Sequence, residues 1–206
     1  MFPTKEKRER SLGTRLFLKA YRCNSPKCAL TRNPARPGTH GKSFRRAGSE
    51  FARQLIEKQK IQFSYGMREA QMRNVFLKAL KSKGVTGEAI LRALESRLDN
   101  MVYRLGFAPS RSVARQLVGH GHIFVNGKRV SIPSYGAHIG DVISIKPGMS
   151  GKGALKDIHD TMKKYEAPAW LTLDKEKLEG TMVAVPDISD ALFDIHLVVD
   201  FYSKTV

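Results

Sequence analysis

The chain has 206 residues, 36 of them Lys or Arg and 19 Asp or Glu, and so carries a formal net charge of +17 at pH 7. A charge of this size favours a polyanionic partner, with nucleic acid as the first candidate and an anionic membrane surface as the alternative. The apolar fraction of 41% is large enough for a folded core, which excludes a wholly disordered chain.

Neither a membrane nor a secreted location is indicated by the sequence. No apolar run approaches the roughly 18 residues of a spanning helix, and the basic N-terminus has no signal-peptide pattern. Two cysteines are too few for a disulfide scaffold. We therefore expect a cytoplasmic protein.

The charge is concentrated in the first part of the chain. Residues 1–60 carry a net charge of +12, whereas residues 154–206 carry −4. The front of the chain is therefore expected to face phosphate, and the acidic end to face a protein or the rest of this chain.

Residues 1–48 show little hydrophobic periodicity and are predicted to form an extended basic arm. Helix breakers occur at Pro34, Pro37, Gly38 and Gly41, which excludes a long helix there. A disordered tail is the alternative, and such an arm could become ordered only on RNA.

The arm contains Cys23 and Cys28, whose four-residue separation is within the range of zinc knuckles. A knuckle needs four ligands, but residues 1–22 contain no Cys or His. His40 could be a third ligand, and no fourth is evident. We therefore expect free thiols and no bound metal, with zinc as the alternative.

Amphipathic helices are predicted to follow the arm and to form a helical domain over residues 49–93. Ser49 is a suitable N-cap for the first, which carries Phe51 and Leu55 on its apolar side. The second is predicted over about residues 67–82, where apolar residues recur at helical spacing and Gly84 is a natural stop.

A third helix is predicted from near Gly87 to Gly106, with an apolar stripe along its length. Arg97 and Arg104 are seven residues apart and would lie along one flank of that stripe. A short helix capped by Ser110 would then place a second basic row on an adjacent helix. Its members are Arg111 and Arg115, four residues apart. Two such rows could grip a nucleic-acid backbone.

The stretch "HIFVNGKRVSI" predicts a β-hairpin, because Asn-Gly suits a type I′ turn in which both central residues have positive φ. A further turn at Gly140-Asp141 precedes the strand "VISIKP". The sequence thus predicts an α+β protein in which a module of two helices and a small antiparallel sheet, residues 94–157, is inserted in the chain.

His120 and His122 suggest a metal or catalytic site at first inspection. A metal pair needs further ligands, yet no Cys, Asp or Glu lies between Met101 and Ile139, and no catalytic partner is evident. Turn and strand formation explains this stretch better. The functional alternative is a contact to RNA, by ring stacking or by a hydrogen bond to phosphate.

The last segment, residues 158–206, offers little chemistry. A helix is predicted near Leu155–Tyr165, and "WLTLD" and "IHLVVDFYS" are predicted strands, with Trp170 as a core residue. The linker "GMSGKG" departs twice from a phosphate-binding loop. The acidic residues are predicted to form a solvated or protein-facing surface rather than a hydrolytic site; they are Asp187, Asp190, Asp194 and Asp200.

Several stretches together resemble one known family. "LESRLDNMVYRLGFAPSRSVARQLVGHGHIFVNGKRV" is similar to the RNA-binding module of the S-four family, the bacterial small-subunit ribosomal protein four. "LFLKAYRCNSPKCAL", "RPGTHGK", "EKQKIQFSYGMREAQMRNVF", "KGVTGE" and "VVDFYSK" resemble the same family in the same order, so that the resemblance covers nearly the whole chain.

The resemblance implies a ribosome-bound structural protein that is not an enzyme and has no cofactor. Members of the family are primary binders of 16S rRNA, recognise a multi-helix junction in the 5′ domain and nucleate assembly of the subunit body. They contact small-subunit ribosomal protein five, which affects accuracy, and lie near the path of mRNA into the subunit. Some repress their own operon. The resemblance also implies that residues 158–206 pack back on the helical domain; DNA and membranes are not expected partners.

The alternatives are a free-standing RNA chaperone and an RNA-modifying enzyme that uses the module for targeting. About fifty residues follow the module, too few for a pseudouridine synthase domain. The residues expected to contact RNA, mostly by charge and position, are Arg22, Lys27, Arg36, Lys42, Arg45, Arg46, Arg53, Lys58, Arg73, Arg97, Arg104, Arg111, Arg115, Lys128 and Arg129.

Overall fold

The computed structural model describes residues 5–43, 48–149, 151, 153–156, 158–163, 165–186 and 193–205. The chain forms two compact units. We call Met1–Ile90 with Ala191–Val206 the helical unit, and Leu91–Asp190 the module unit. Helices and an antiparallel sheet make this an α+β protein, as the sequence predicts. No helix in the described part of the chain is long and apolar enough to cross a membrane.

The helical unit begins with short helices in the segment predicted to be an extended arm. They are α1 (Lys5–Leu12), α2 (Ala20–Cys23) and α3 (Ala29–Arg32). Residues 33–43, which contain the helix breakers, form the longest stretch without a helix in the described part of the arm. The prediction of an extended arm is therefore wrong for the three short helices, Lys5–Leu12, Ala20–Cys23 and Ala29–Arg32.

Glu9 is the residue that holds this first segment together. Its side chain is 2% exposed, and Oε1 accepts hydrogen bonds from the backbone N–H groups of Leu16 and Leu18, both at 3.1 Å. The Cys23 thiol lies 3.7 Å from the same oxygen. Burial raises the pKa of the Cys23 thiol, and the charge of Glu9 acts in the same direction. The thiol therefore stays protonated and can donate to the carboxylate.

Three longer helices complete the helical unit: α4 (Glu50–Ser64), α5 (Glu69–Leu80) and α10 (Ile195–Thr205). The Ser49 hydroxyl accepts from the Ala52 N–H, which confirms the predicted N-cap. Helix α10 packs on α4 and α5. The sequence prediction of a strand here is wrong. The buried residues of the helix, Val198, Phe201 and Tyr202, are three and four apart, which is a helical period.

Lys58 lies inside this unit and not on its surface. Its Nζ is 2.7 Å from Glu69 Oε2 and 4.7 Å from the centre of the Phe201 ring, and the residue is 8% exposed. The Tyr202 hydroxyl donates to Glu69 Oε1 at 3.0 Å, and burial followed by this contact raises the pKa of Tyr202. The expectation that Lys58 contacts RNA therefore disagrees with its position.

The predicted third helix is interrupted. It forms α6 (Thr86–Glu95), which spans the division between the units, and α7 (Leu98–Arg104). At the break, Arg97 pairs with Gly136 in a single antiparallel bridge, and the Leu98 N–H donates to Tyr135 O at 2.8 Å. Arg97 and Arg104 consequently do not lie on one continuous helix.

The module unit contains a five-stranded antiparallel sheet in the order β2-β1-β3-β5-β4. The strands are β1 (Ile123–Val125), β2 (Lys128–Arg129), β3 (Val142–Ile145), β4 (Leu171–Asp174) and β5 (Glu179–Met182). Asn126 and Gly127 both have positive φ, 49° and 74°, which confirms the predicted hairpin turn. The return strand is shorter than predicted.

The sheet packs against α7 and the next helix, α8 (Arg111–Gly119). Gly180 of β5 lies so close to α7 that an added Cβ would be 2.2 Å from Leu105 Cδ2. Trp170 is 6% exposed and belongs to the core, as predicted. Through β4 and β5, residues after 158 also join this unit, together with a 3₁₀ turn (Gly153–Leu155) and α9 (Ile158–Lys163). The four-part domain division stays a prediction.

The buried carboxylate of Glu9 generates the first testable prediction. We expect Glu9→Ala to lower the free energy of unfolding of the helical unit by about 2–4 kcal/mol, because it leaves buried backbone donors without an acceptor. Alkylation of Cys23 and Cys28 by iodoacetamide, measured by mass spectrometry under native conditions, should become faster.

The matched control is Glu6→Ala on the same helix. Glu6 is paired with Arg22 at 2.7 Å but is 26% exposed, so its removal should lower stability by less than about 1 kcal/mol. Equal alkylation rates in the two variants would contradict the role assigned to Glu9.

Candidate nucleic-acid interface

A cluster of arginines in the module unit is held by two buried carboxylates. Glu95 is 5% exposed, and both of its oxygens accept from Arg104: Nε donates to Oε2 and Nη2 to Oε1, each at 2.9 Å. Asn100 Nδ2 donates to Glu95 Oε2 at 2.7 Å and to the backbone oxygen of Glu95 at 2.9 Å. The two-point contact fixes the plane of the Arg104 guanidinium.

Arg111 extends this network by one residue. Its Nε donates to Asn100 Oδ1 at 2.8 Å, and its guanidinium lies 4.6 Å from the centre of the Tyr103 ring. Because Asn100 is buried and already bound to Glu95, Arg104 and Arg111 are connected through shared partners. Because both side chains are already held, neither would lose much conformational freedom on binding an anionic ligand such as a phosphate group.

The second carboxylate, Asp99, is 4% exposed and pairs with Arg97 through hydrogen bonds of 3.0 and 2.8 Å. Arg115 Nη1 lies 3.9 Å from Asp99 Oδ2. Arg97 is itself only 6% exposed. Its charge is therefore paired inside the module unit. The RNA contact of Arg97 stays a prediction that this burial does not favour. Arg115, in contrast, remains 39% exposed.

The hairpin tip carries Lys128 and Arg129, both exposed, as the sequence predicts. Arg129 lies against the backbone of Gly121: a Cβ at that glycine would be 2.0 Å from Arg129 Nε. Arg129 Nη2 also donates weakly to His120 O at 3.4 Å. Gly121 has a φ of 71° and so permits both the turn and the close approach of the guanidinium.

The expected contact residues of the helical unit differ in exposure. Four of them are exposed: Lys27, Lys42, Arg53 and Arg73. Arg36 is half-buried. Arg22 is half-buried and paired with Glu6. Arg45 and Arg46 lie outside the described residues.

Sequence reasoning missed the acids that organise the arginines. Asp99 and Asn100 lie off the apolar stripe of the predicted third helix, so hydrophobic periodicity gives no sign that they are buried. The structure also exposes basic residues near Arg73 that the sequence does not single out as RNA contacts. They are Arg68, Lys78 and Lys81.

The described residues contain no group of three or more metal-binding side chains. The rings of His120 and His122 are 5.9 Å apart, but no third ligand joins them there. Cys23 and Cys28 are buried free thiols. Ser150 and Lys152 of the glycine-rich linker, and Asp187 and Asp190 of the acidic tail, lie outside the described residues.

The sequence matches two family models that adjoin along the chain. Residues 3–95 match the model of the ribosomal protein S4/S9 N-terminal domain, and residues 96–143 match the S4 domain. The chain belongs to the S4 family of ribosomal proteins. This confirms the resemblance seen in the sequence.

Similar proteins from several bacteria carry the name small ribosomal subunit protein uS4. A protein of Thermus thermophilus is 47% identical over 194 residues, 93% of each chain. One of Desulfitobacterium hafniense is 45% identical over the same share of both chains. One of Gloeobacter violaceus is 46% identical over 197 residues, 95% of this chain and 94% of the relative. Membership of this family of structural proteins confirms that the chain is not an enzyme.

The pairing of Arg104 with Glu95 can be measured by a double-mutant cycle. We expect Glu95→Gln and Arg104→Gln each to destabilise the module unit, and the pair to show a coupling energy of about 1–3 kcal/mol in thermal or urea unfolding, because each change leaves a partner unpaired.

Asp160→Asn with Lys163→Gln provides the control cycle. That pair is also joined at 3.0 Å, but its side chains are 80% and 75% exposed. Its coupling should stay below about 0.5 kcal/mol. Similar coupling energies in both cycles would show that burial of Glu95 has no special effect.

Proposed function

We propose that this protein is a structural component of the small ribosomal subunit in the cytoplasm and binds rRNA through the basic surface of its module unit. The observation that carries the proposal is a set of three arginines: Arg104 and Arg111 are hydrogen-bonded to the buried Glu95 and Asn100, and Arg115 lies 3.9 Å from the buried Asp99. A relative that matches this chain over 93% of its own length is named as a small ribosomal subunit protein.

The chemistry of the proposed binding is mainly phosphate neutralisation. Each Lys or Arg placed on a phosphate releases condensed counterions, so affinity falls steeply as salt rises. Charge alone gives little selectivity. A guanidinium held in one plane, however, fits phosphate oxygens at two points and only in one orientation. The cluster thus favours RNA that presents phosphates in a matching arrangement.

We further propose that the bound RNA is a multi-helix junction in the 5′ domain of 16S rRNA, and that binding nucleates assembly of the subunit body. Contact with protein five, an effect on translational accuracy and a position near mRNA belong to the same proposal. These rest on the sequence resemblance. The acidic segment 154–206, with its charge of −4, is the part of the chain least suited to RNA and best suited to a protein neighbour.

We keep as proposed RNA contacts those of the residues expected from the sequence whose cation is exposed or half-buried, together with two that lie outside the described residues. They are Arg22, Lys27, Arg36, Lys42, Arg45, Arg46, Arg53, Arg73, Arg104, Arg111, Arg115, Lys128 and Arg129. Lys58 and Arg97 are omitted because each is buried against a carboxylate.

The proposal is tested by binding of the full chain to a 16S rRNA 5′-domain fragment, with tRNA and duplex DNA as competitors, over a salt series. We expect binding to the fragment to persist at salt concentrations that abolish binding to the competitors. For Lys128→Gln with Arg129→Gln, the slope of log affinity against log salt should become shallower by about 2, because two phosphate contacts are lost.

Lys177→Gln is the control, since Lys177 is exposed in the turn between β4 and β5 and is not among the proposed contacts. It should leave the slope unchanged. Equal affinity of the unaltered protein for all three nucleic acids at every salt concentration would overturn junction recognition and favour a free-standing RNA chaperone.

A further inference from the structure

A pocket of about 170 Å³ lies on the side of α8 away from the arginine cluster. Six of the residues that line it are Val113, Gln116, Leu117, His120, His122 and Met149. The positions in α8 are three and four apart and so follow one side of the helix, whereas Arg111 and Arg115 follow another. The pocket therefore lies on a different side of α8 from Arg111 and Arg115.

The lining of the pocket combines aromatic, apolar and polar side chains. Two aromatic rings, His120 and His122, are tilted by 55° at a centroid distance of 5.9 Å, and Val113 and Leu117 supply apolar surface. Gln116 adds a carboxamide that makes no hydrogen bond to any other described residue. Flat aromatic faces, apolar side chains and a carboxamide together match a planar heterocycle that has hydrogen-bonding edges.

The size of the pocket narrows the class of ligand. Drug-sized ligands and cofactors occupy sites of roughly 300–1,000 Å³. At about 170 Å³ the pocket is smaller than these sites, which favours a single ring system over a larger cofactor. A metal ion would need more ligands than the two histidines, and the described residues offer none.

Backbone hydrogen bonds hold His122 in the pocket wall, and a positive charge lies close by. The His122 N–H donates to Leu117 O at 3.0 Å, and the Lys146 N–H donates to His122 O at 2.8 Å, so that backbone bonds on both sides hold His122. The guanidinium of Arg129 lies beside the intervening Gly121. A nucleotide whose base enters the pocket would have a cation within reach of its phosphate.

We propose that this pocket receives a single unpaired nucleobase of the bound RNA, which stacks on His122 and hydrogen-bonds to Gln116. The inference rests on the proposed function, because the base belongs to the rRNA that the module binds. It adds a contact that reads base shape to contacts that neutralise phosphate.

The test compares full-length variants in binding to the 16S rRNA 5′-domain fragment over a salt series. We expect His122→Ala to weaken binding on the order of tenfold, the effect of losing one stacked base, and Gln116→Ala to weaken it less. Neither should change the salt slope, because no phosphate contact is lost. His122→Phe should restore most of the affinity, since its ring can still stack.

His159→Ala is the matched control, because His159 is exposed on α9 and outside the pocket lining. Thermal unfolding of each variant checks that the fold is kept. Ultraviolet irradiation of the complex, followed by mass spectrometry, should place a nucleotide on the peptide that contains residues 116–122.

Three results would overturn the proposal. One is unchanged affinity of a folded His122→Ala. Another is a shallower salt slope without rescue by His122→Phe, which would indicate a phosphate contact instead. The third is a crosslink only at other peptides. If the unaltered protein fails to bind the fragment selectively, the proposed function itself fails, and this outcome is separate from a pocket variant that binds normally.

Discussion

Burial of Glu95 and Asp99 under the arginines of the module unit is the constraint on which its basic surface depends. Arginines at close quarters repel one another, and without an opposite charge their side chains would spread into solvent. A carboxylate placed below them offsets that repulsion and sets the direction of each guanidinium. Asn100 links Arg104 with Arg111, since it donates to Glu95, the partner of Arg104, and accepts from Arg111.

Contacts around the same two acids also hold the backbone where α6 ends and α7 begins. Asn100 reaches back to the last carbonyl of α6, and Arg97, held by Asp99, lies where the chain leaves the helix and bridges to Gly136. The break between α6 and α7 is therefore filled by polar partners rather than left as a strained loop. Paired and satisfied in this way, buried charges are tolerated, and removing one member is what destabilises.

Glu9 performs a comparable task in the helical unit. It is a buried acid in the most basic part of the chain, yet its partners are backbone N–H groups and a thiol instead of arginines. The segment around Cys23 and Cys28 is thus closed by hydrogen bonds to one carboxylate. A protein of charge +17 uses these few acids internally, while its cations remain largely at the surface. A carboxylate that accepts several hydrogen bonds can close such a segment as a bound ion would.

The sequence by itself determined what local rules control. Ser49 and Ser110 cap their helices as predicted, Asn126-Gly127 turns the hairpin, and the motif order identified the family. These features depend on a few adjacent residues, so that propensity, capping and turn geometry suffice to predict them. The α+β class and the exposed hairpin cations, Lys128 and Arg129, followed from the same rules.

Tertiary structure decided the features that depend on distant partners. Helical periodicity continues through Ser96 in the sequence, but the chain leaves the helix there and pairs with the segment at Tyr135–Ala137. The segment "IHLVVDFYS" is apolar enough for either a strand or a helix, and packing on α4 selected the helix. Lys58 and Arg97 have the same charge as their exposed neighbours. Whether a cation faces solvent or a buried carboxylate is set by residues distant in sequence or in a folded loop, which composition and spacing do not record.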